Sequence, residues 1–503
     1  MSSTAETKGG FVTQIAHGWS EAQPQIALSF LSKLQVCLSS HTEQRGTLEN
    51  GLSFVLDLSQ IRLKGMGEVH CRLTSGSSPV AEEGLLKYYR GVVAPGRVIM
   101  IFAASQPAHE AAVNALAGTS CVVIGPAGIR DLLESKDPIS LMRQALRERI
   151  PIGSLSPYSI LLSAEGNMFY GRTSELRRLR DEETVSFGLV GPGRIGKTSL
   201  VKEYRRSLVR ARNPLTQATF YVDFLDAPEK TPSGYVRHLA LAIENSNRSY
   251  RTTPEDLSYF LKYQSSRLGF ILNLLLDEVD DVCANPEVIQ ALAHAAREGF
   301  VRLVMSGKGN LLKVATDPGS HLAERLELMR LPPLDETAAM GLILEPLSEL
   351  GIRIQEQNQV VRHILRMTGC APHLIQLYLS RLIESVLESK TRDVTQTHLD
   401  RLRWDFELAQ YAVSPLQELK DPQAKALAKS LLQEAPATWT PRSIQGIAER
   451  QGLKLEIEQT ISLCNQLVIN HILTWKQGNY TLANEALRFY AEQLGLIGNS
   501  AAG

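Results

Sequence analysis

One stretch of the chain has the residue types and the spacing that binding of a polyphosphate requires. Residues 191–198 read GPGRIGKT and fit the pattern G-x-x-x-x-G-K-[ST] without a mismatch. Glycines let the backbone turn closely around an anion, so that successive N–H groups can point at phosphate oxygens. We expect Lys197 to contact the β and γ phosphates and the Thr198 hydroxyl to ligate Mg²⁺. The predicted nucleotide contacts of this loop are Gly191, Gly193, Arg194, Ile195, Gly196, Lys197, Thr198 and Ser199.

Two carboxylates directly follow an apolar run, in a position that suits hydrolysis. Residues 271–276 read ILNLLL and are followed by Asp277 and Glu278. Carboxylates at the end of a buried strand are costly unless they handle a cation or protons; the alternative is a solvated acidic loop beyond a core strand. Beside a phosphate-binding loop, we expect Asp277 to hold Mg²⁺ through water and Glu278 to polarise the attacking water. These residues predict hydrolysis of a nucleotide as well as its binding.

The elements around both motifs predict a parallel sheet covered by helices on both faces. Strand candidates alternate with helical patterns, which is typical of a parallel sheet. The phosphate-binding pattern lies between the first strand and a helical stretch at 199–207, so the N-terminal dipole of that helix would point at the phosphates. The strand candidates are 186–190, 218–224, 271–276, 302–306 and 326–331.

Changes of pattern along the chain predict further regions on either side of this sheet. A linker that carries Pro, Gly and Ser precedes the sheet, and helical patterns with apolar residues at three- and four-residue spacing follow it. The next region has three helical patterns and then a hairpin around the turn at 477–479, which is the order of a winged helix-turn-helix. The predicted regions are an α/β domain at 1–150, the linker 151–164, the sheet domain 165–334, a helical lid 335–415, a winged helix 416–495 and a tail 496–503.

The N-terminal region has strand candidates near 52–58, 68–73, 98–103 and 121–124. Its order of elements resembles a restriction-endonuclease-like fold. A nuclease of that type needs an aspartate and a (D/E)-x-K pair, which together hold a metal beside a lysine. Asp57 could be the first carboxylate, but His70-Cys71-Arg72 stands where the pair is expected. We therefore expect a degenerate, non-catalytic domain that acts as a sensor or adaptor.

Bulk composition argues against several classes of protein. The 503 residues include 53 basic and 53 acidic side chains, so there is no overall positive charge of the kind that indicates nucleic-acid binding. No apolar run approaches the roughly 20 residues that span a bilayer. Residues 1–10 lack the apolar core of a signal peptide, and the six cysteines include no C-x-x-C pair. We expect a cytoplasmic protein with reduced cysteines and no membrane partner.

Four elements outside the phosphate-binding loop carry a family resemblance. Residues 169–176 read FYGRTSEL and match an F-x-G-R-x-x-E-L element before the first core strand. The strand candidate 302–306 ends at Ser306, and residues 331–334 read LPPL. Residues 368–373 read TGCAPH, which is similar to a T-G-G-x-P element except for the cysteine in place of the second glycine. In these features the chain resembles the STAND signalling ATPases and the related archaeal-type and origin-recognition AAA+ ATPases.

This resemblance implies a fold, a cofactor and further site residues. The fold is α/β, with the parallel sheet of a P-loop NTPase (AAA+/STAND-like), a helical lid, a C-terminal winged helix and an N-terminal α/β domain. The nucleotide is ATP or ADP, and the metal is Mg²⁺. Pro372 begins a helix that reaches back to the nucleotide, and Ser306 stands at the sensor position as a catalytic residue with Lys197 and Glu278. The residues that line the adenine would be Phe169, Tyr170, Gly171 and Arg172.

The expected function is a slow, switch-type ATP hydrolase. It would couple nucleotide state to conformational change and self-association in signalling, regulation or defence, with a protein partner or stimulus that the sequence does not name. Two alternatives stay open: a DNA-associated AAA+ ATPase of replication or transposition type, and an ATP-gated effector that uses residues 1–150. DNA is not favoured, because residues 421–492 carry seven basic and seven acidic side chains, with Glu456 and Glu458 near the expected recognition helix. We expect that region to pack on the ATPase instead.

Overall fold

The computed structural model of the protein divides into two compact units. The first comprises 1–158, 344–355 and 383–394, and the second comprises 159–343, 356–382 and 395–503. Two short segments within the predicted helical lid therefore group with the N-terminal region, although predicted domain boundaries followed chain order. The structure describes residues 24–39, 42–48, 51–74, 79–93, 97–159, 164, 166–244, 253–434 and 438–498.

The N-terminal part of the first unit is built on a mixed five-stranded sheet in the order β1-β2-β3-β4-β5. Strands β1 to β3 are antiparallel neighbours, whereas β3, β4 and β5 run parallel. All four strand candidates of this region are present, and β1 is an additional strand. The elements are α1 Pro24–Cys37, β1 Thr42–Leu48, β2 Gly51–Leu56, β3 Val69–Thr74, α2 Pro79–Val92, β4 Ile99–Ala103, α3 Gln106–Ala115, β5 Cys121–Ile124, α4 Pro126–Glu134, α5 Pro138–Arg149 and α6 Ile152–Leu155.

The residues considered above for a nuclease site make different contacts in this sheet. Asp57 follows β2, and its carboxylate accepts the backbone N–H of Ser59 at 2.8 Å. His70 and Arg72 of β3 are buried, and the Arg72 guanidinium lies 5.6 Å from the centre of the Tyr88 ring. His70 and the buried Arg72 stand where the carboxylate and the lysine of the (D/E)-x-K pair would be needed. The non-catalytic interpretation of this region stays a prediction.

The second unit contains the predicted parallel sheet. Its five strands run parallel in the order β10-β6-β9-β8-β7, which confirms the predicted fold class. In such a sheet the carboxyl ends of all strands meet at one edge, where ligands bind. The elements are α7 Thr173–Asp181, β6 Ser186–Val190, α8 Lys197–Arg210, β7 Thr219–Asp223, α9 Pro232–Glu244, α10 Pro254–Leu268, β8 Leu272–Asp277, α11 Asp280–Cys283, α12 Pro286–Arg297, β9 Val301–Gly307, α13 Gly309–Thr316 and β10 Leu326–Arg330.

Each face of this sheet is covered by an apolar cluster. Side chains alternate between the two faces along each strand. In β8, Leu272, Leu274 and Leu276 belong to an apolar cluster that includes residues of α9, α10 and α12. Leu275 belongs to the cluster on the opposite face, where Tyr204 of α8 packs. The near-continuous apolar run of β8 is therefore what a strand covered on both sides requires.

Helices follow the sheet. The boundary between the two units falls within α14 and again within α16. The elements are α14 Glu336–Leu350, β11 Arg353–Ile354, α15 Gln357–Thr368, α16 Pro372–Glu388, β12 Asp393–Val394, α17 Gln396–Leu402 and α18 Phe406–Glu418. Over the stretches of chain that the structure describes, no helix is both long and apolar enough to cross a membrane.

The C-terminal segment has the predicted order of three helices and a hairpin. Gln477 and Gly478 both have positive φ, 49° and 85°, which is typical of the tight turns that join antiparallel strands. Trp439 adds an antiparallel bridge to Tyr480 of the hairpin. The description of this segment as a winged helix stays a prediction. The elements are α19 Pro422–Gln433, α20 Pro441–Arg450, α21 Ile457–Ile469, β13 Leu473–Lys476, β14 Asn479–Leu482 and α22 Glu485–Gln493.

This segment is packed on the helices that follow the sheet. Helix α22 packs against α15 and α18, and the Tyr490 hydroxyl donates to the Leu402 carbonyl at 2.7 Å. Gly369 is in direct contact with the end of the hairpin. A Cβ atom on Gly369 would lie 1.7 Å from the carbonyl oxygen of Ala483 and 3.0 Å from the Cβ of Asn484. No residue other than glycine fits at position 369 while the C-terminal segment holds this position.

One buried arginine connects several elements at the amino-terminal end of the parallel strands. Arg302 of β9 is 3% exposed. Its guanidinium donates to the Val185 and Leu179 carbonyls at 2.8 Å, to the Tyr204 hydroxyl at 2.6 Å and to the Asn273 side-chain oxygen at 3.2 Å. A charge removed from water is tolerated when such partners replace its hydration. Arg302 thereby joins the central strand to the start of β6 and to the helices of one face.

We expect Arg302→Met to lower the free energy of unfolding by about 3 kcal/mol, because the acceptors around the guanidinium lose their donors while buried. Chemical denaturation of the full chain measures this loss. The matched control is Arg297→Met on α12, where the side chain is 54% exposed and its loss should leave stability nearly unchanged. Equal denaturation midpoints for the two variants would contradict the structural role of Arg302.

Candidate functional site

The phosphate-binding loop joins the end of β6 to the start of α8. Within it, Arg194 and Gly196 have left-handed backbone conformations, with φ of 63° and 102°. Residues in left-handed conformation between right-handed ones turn successive N–H groups into a concave surface that binds anions. A Cβ atom on Gly191 would lie 3.1 Å from the Leu331 carbonyl oxygen, which is tighter than most such contacts. The loop therefore has the backbone that its sequence pattern predicts.

Lys197 is the cation of this loop and is only 4% exposed. Its ammonium donates to the carbonyl of Gly191 at 3.0 Å and to that of Pro192 at 2.8 Å. Burial lowers the pKa of Lys197 to about 8, although the negative charge of Glu278 acts to raise it. Lys197 is thus mostly charged at neutral pH. A cation held among loop carbonyls is placed to meet the phosphates of a bound nucleotide.

Asp277 lies at the carboxyl end of β8 and is fully buried. The Ser306 hydroxyl donates to one carboxylate oxygen and the Tyr221 hydroxyl donates to the other, at 3.0 Å for Tyr221. The backbone N–H of Glu278 donates to the first oxygen at 3.1 Å. Burial, then the neighbouring charge of Asp277, raises the pKa of Tyr221, so its hydroxyl stays protonated as a donor. Ser306 and Tyr221 therefore fix the orientation of this carboxylate.

Glu278 follows in a strained conformation. Its φ is 53°, in the left-handed region that residues other than glycine, asparagine and aspartate rarely adopt. The residue is half-buried, and burial raises the pKa of its carboxyl while the charge of Lys197 opposes that rise. A carboxylate with a raised pKa is a better proton acceptor at neutral pH. Strain of this kind is often found at functional positions.

Lys308 is a second cation at this edge, which the sequence analysis missed. It follows β9, and its Nζ lies 3.2 Å from the place that a Cβ on Gly193 would take. The Asp280 carboxylate accepts the backbone N–H groups of Lys308 and Asn310, at 2.8 Å for Asn310. Asp280 therefore fixes the backbone that carries Lys308. The available signal was its position, since a residue directly after β9 lies at the same edge as the phosphate-binding loop.

The predicted metal ligands have the chemistry that Mg²⁺ prefers. Thr198 and Asp277 offer a hydroxyl and a carboxylate, which are hard oxygen donors. Magnesium sites on nucleotides use one or two protein oxygens and complete their shell with phosphates and water. In the part of the chain that the structure describes, no group of three or more His, Cys, Asp or Glu side chains could hold a metal by itself. The residues present fit a nucleotide-bound Mg²⁺ better than an all-protein metal site.

The segment predicted to line the adenine is fastened to the loop by Arg172. This residue is buried, and its guanidinium donates to the Ile195 carbonyl at 3.3 Å and to the Pro332 carbonyl. Burial lowers the pKa of Arg172, whereas Glu175 acts to raise it. Phe169 packs against the apolar cluster on the α8 face of the sheet. Arg172 thus connects its own segment to the phosphate-binding loop and to the residues that follow β10. The contacts of Phe169, Tyr170, Gly171 and Arg172 with adenine stay a prediction.

The element 368–373 also meets the nucleotide site. Pro372 is the first residue of α16, as predicted, and the carbonyl of Cys370 accepts the N–H of Leu334 at 3.0 Å. His373 contacts Tyr411 of α18, and the Tyr411 ring lies under the guanidinium of Arg194. No motif in the sequence indicated a role for His373 or Tyr411. Residues from several separate stretches of the chain are therefore brought together around the phosphate-binding loop.

Comparisons with known proteins agree with this geometry. The sequence model of the family described as novel STAND NTPase 1 matches residues 153–489. A Walker-type ATPase of Pyrococcus abyssi superposes with a TM-score of 0.50 and 14% identity, over 66% of this chain and 99% of that one. At this identity the likeness shows the fold alone. No curated protein matches the chain.

Two further solved structures are similar at lower TM-scores. The Aeropyrum pernix ORC2 protein, in ADPNP–ADP complexes, has a TM-score of 0.44 and 14% identity, over 65% of this chain and 94% of that one. The Aeropyrum pernix ORC1 protein in complex with DNA has a TM-score of 0.40 and 17% identity, over 69% of this chain and 96% of that one. The family match spans the sheet, the helices after it and most of the C-terminal segment, so the chain belongs to the novel STAND NTPase 1 family of nucleotide-binding P-loop NTPases.

Proposed function

We propose that this protein is an ATP-hydrolysing switch, in which nucleotide state changes how the C-terminal segment is held. The observation that carries the proposal is the burial of Lys197 inside the phosphate-binding loop, with the charges of Glu278, Asp277 and Asp280 acting on it. A buried cation facing carboxylates at the edge of a parallel sheet suits a polyphosphate with a metal. Adenine as the base, and self-association of the ATP state, rest on the family resemblance.

Each residue of the site has a proposed task. The N–H groups of the loop and the Lys197 ammonium bind the β and γ phosphates, and Lys308, whose Nζ lies close to Gly193, neutralises further phosphate charge. Glu278 accepts a proton from, or orients, the water that attacks the γ phosphate. Ser306 keeps the Asp277 carboxylate in place. These tasks need positioning and charge stabilisation only, which is the usual basis of phosphoryl transfer.

Mg²⁺ is the proposed metal. Thr198 would hold it directly, and Asp277 would hold it through water. The ion would supply positive charge against the phosphate oxygens. The hydroxyl groups of Tyr221 and Ser306 donate to Asp277, so both of its carboxylate oxygens are held in position.

The switch part of the proposal rests on the contact at Gly369. This glycine belongs to the TGCAPH element, which begins the helix of Pro372, and it touches Ala483 and Asn484 at the end of the hairpin. A change at the nucleotide that moves the element by even an ångström would alter this contact, because packed interfaces do not deform continuously. We infer that the docked C-terminal segment restrains nucleotide exchange or assembly in the resting state.

Lys197→Ala should weaken binding of ATP by roughly 100-fold, because a buried polyphosphate loses its main cationic partner. Isothermal titration calorimetry with a non-hydrolysable ATP analogue and Mg²⁺ measures the loss. Lys313→Ala, which removes an exposed lysine from α13, is the control and should bind as the wild type does. Tight binding by the Lys197 variant would remove the assignment of the loop.

Glu278→Gln should keep ATP bound and hydrolyse it about 10²–10⁴-fold more slowly, since an amide cannot accept the proton of the attacking water. Single-turnover release of phosphate measures the rate. Glu287→Gln, on the exposed face of α12, is the control for loss of a carboxylate. Unchanged turnover in Glu278→Gln would show that another group activates the water.

Gly369→Ala should raise basal ATP turnover or promote oligomers, because the added methyl group cannot coexist with the Ala483 carbonyl in the docked state. Turnover and light scattering after gel filtration measure the two effects. Gly299→Ala is a matched control. Its φ is 77°, so it suffers the same backbone strain, but a Cβ atom there would have no neighbour within 4 Å.

Equal behaviour of the two glycine variants would contradict the restraint. Duplex DNA in the same assays separates the proposed switch from the DNA-associated alternative. Turnover that is indifferent to DNA supports the switch. Strong stimulation by DNA, together with salt-sensitive submicromolar binding, would favour the alternative.

A further inference from the structure

An arginine of the phosphate-binding loop is held by two residues from the helices that follow the sheet. The guanidinium carbon of Arg194 lies 4.3 Å from the centre of the Tyr411 ring. The Tyr411 ring stacks on His373, with ring centres 4.8 Å apart and an interplanar angle of 30°. The Tyr411 hydroxyl is also hydrogen-bonded to Nε2 of His373. Arg194, Tyr411 and His373 thus form a stacked cluster, which we call the loop clamp.

The loop clamp acts on a residue whose backbone needs support. Arg194 has a φ of 63°, and an L-residue with a Cβ atom is disfavoured in this left-handed region. The concave arrangement of N–H groups that binds phosphate depends on that conformation. Because Arg194 is exposed, its own side chain gains little from burial, and the Tyr411 ring is its described partner. A cation over an aromatic face is attracted electrostatically, so the ring holds the arginine in place.

His373 suits the clamp because it is neutral. Burial, together with the charge of Arg194, lowers the pKa of His373 to about 4. At neutral pH the imidazole therefore does not repel the guanidinium. It also offers an unprotonated nitrogen to the Tyr411 hydroxyl when its proton is on Nδ1. His373 orients the Tyr411 ring without weakening the contact of that ring with Arg194.

We propose that Tyr411, oriented by His373, positions Arg194 and with it the phosphate-binding loop, and that nucleotide occupancy is thereby coupled to α18. This rests on the proposed nucleotide site. Tyr411 is a positioning residue, since it acts through Arg194. If the clamp favours the phosphate-binding conformation of the loop, a bound nucleotide must favour the clamp by the same factor, because coupling between two sites is reciprocal.

The coupling has a physical route to the C-terminal segment. Tyr411 belongs to α18, and α18 packs against α22. A nucleotide that stabilises the clamp therefore stabilises the helix on which the last helix of the described chain rests. This route is separate from the contact of Gly369 with the hairpin.

The test uses the full-length protein and a fluorescent ATP analogue with Mg²⁺. Tyr411→Leu removes the aromatic face and should weaken binding by about 3- to 10-fold, whereas Tyr411→Phe keeps the ring and should lose less. KM for ATP should rise in Tyr411→Leu while kcat at saturating ATP changes little. Tyr263→Leu, on α10 and 57% exposed, is the control and should match the wild type. Thermal melting of each variant verifies that it is folded.

A double-mutant cycle with Arg194→Gln isolates the clamp. If Tyr411 acts through Arg194, adding Tyr411→Leu to Arg194→Gln should weaken binding no further. Independent, additive losses would overturn the proposal, and so would wild-type affinity in Tyr411→Leu. Should Tyr411→Leu fail to fold, Arg194→Gln and Tyr411→Phe decide the outcome, because wild-type affinity in both would also overturn the proposal.

Hydrogen exchange of peptides from α18 tests the coupling itself. The ATP analogue should slow exchange in the wild type and have a smaller effect in Arg194→Gln at saturating ligand. Equal slowing in both proteins would overturn the coupling. Failure of the wild type to bind the analogue would count against the proposed function, whereas tight binding that does not depend on Tyr411 would count against the loop clamp alone.

Discussion

Burial of charge at one edge of the parallel sheet is the constraint on which the site depends. Lys197 and Asp277 are 4% and 0% exposed, and an ion removed from water is stable only where polar groups replace its hydration. Loop carbonyls do this for Lys197. Hydroxyl groups of Ser306 and Tyr221 do it for Asp277. Both side chains lie at the edge of the sheet where we propose that phosphates and a metal bind.

The strand order explains why those partners are available. Strand β8 lies between β9 and β7, so Asp277 at its end can receive a hydroxyl from each neighbour. Strand β9 in turn lies between β8 and β6, which places the residues after it, Lys308 included, beside the phosphate-binding loop. Arg302 near the opposite end of β9 ties the same strand to the helices of one face. One central strand therefore serves stability at one end and the candidate site at the other.

The helices after the sheet contact the nucleotide site through a small number of groups. Gly369 touches the hairpin, Cys370 accepts a hydrogen bond from Leu334, and Tyr411 holds Arg194. Through these groups, the proposed change at the nucleotide site would reach the C-terminal segment. A nucleotide shifts such a conformational equilibrium only by as much as its affinities for the two states differ.

The sequence by itself determined the phosphate-binding loop, the five parallel strands, the acidic pair after β8 and the turn at 477–479. Each of these follows from residues that are close together in the chain, either from residue types at a fixed spacing or from apolar periodicity. Only the tertiary structure decided that Lys308 lies over Gly193, that Tyr411 holds Arg194, and that segments 344–355 and 383–394 group with the N-terminal region. Such contacts join residues more than a hundred positions apart. Local patterns do not specify which partners meet, because that depends on the path of the whole chain between them.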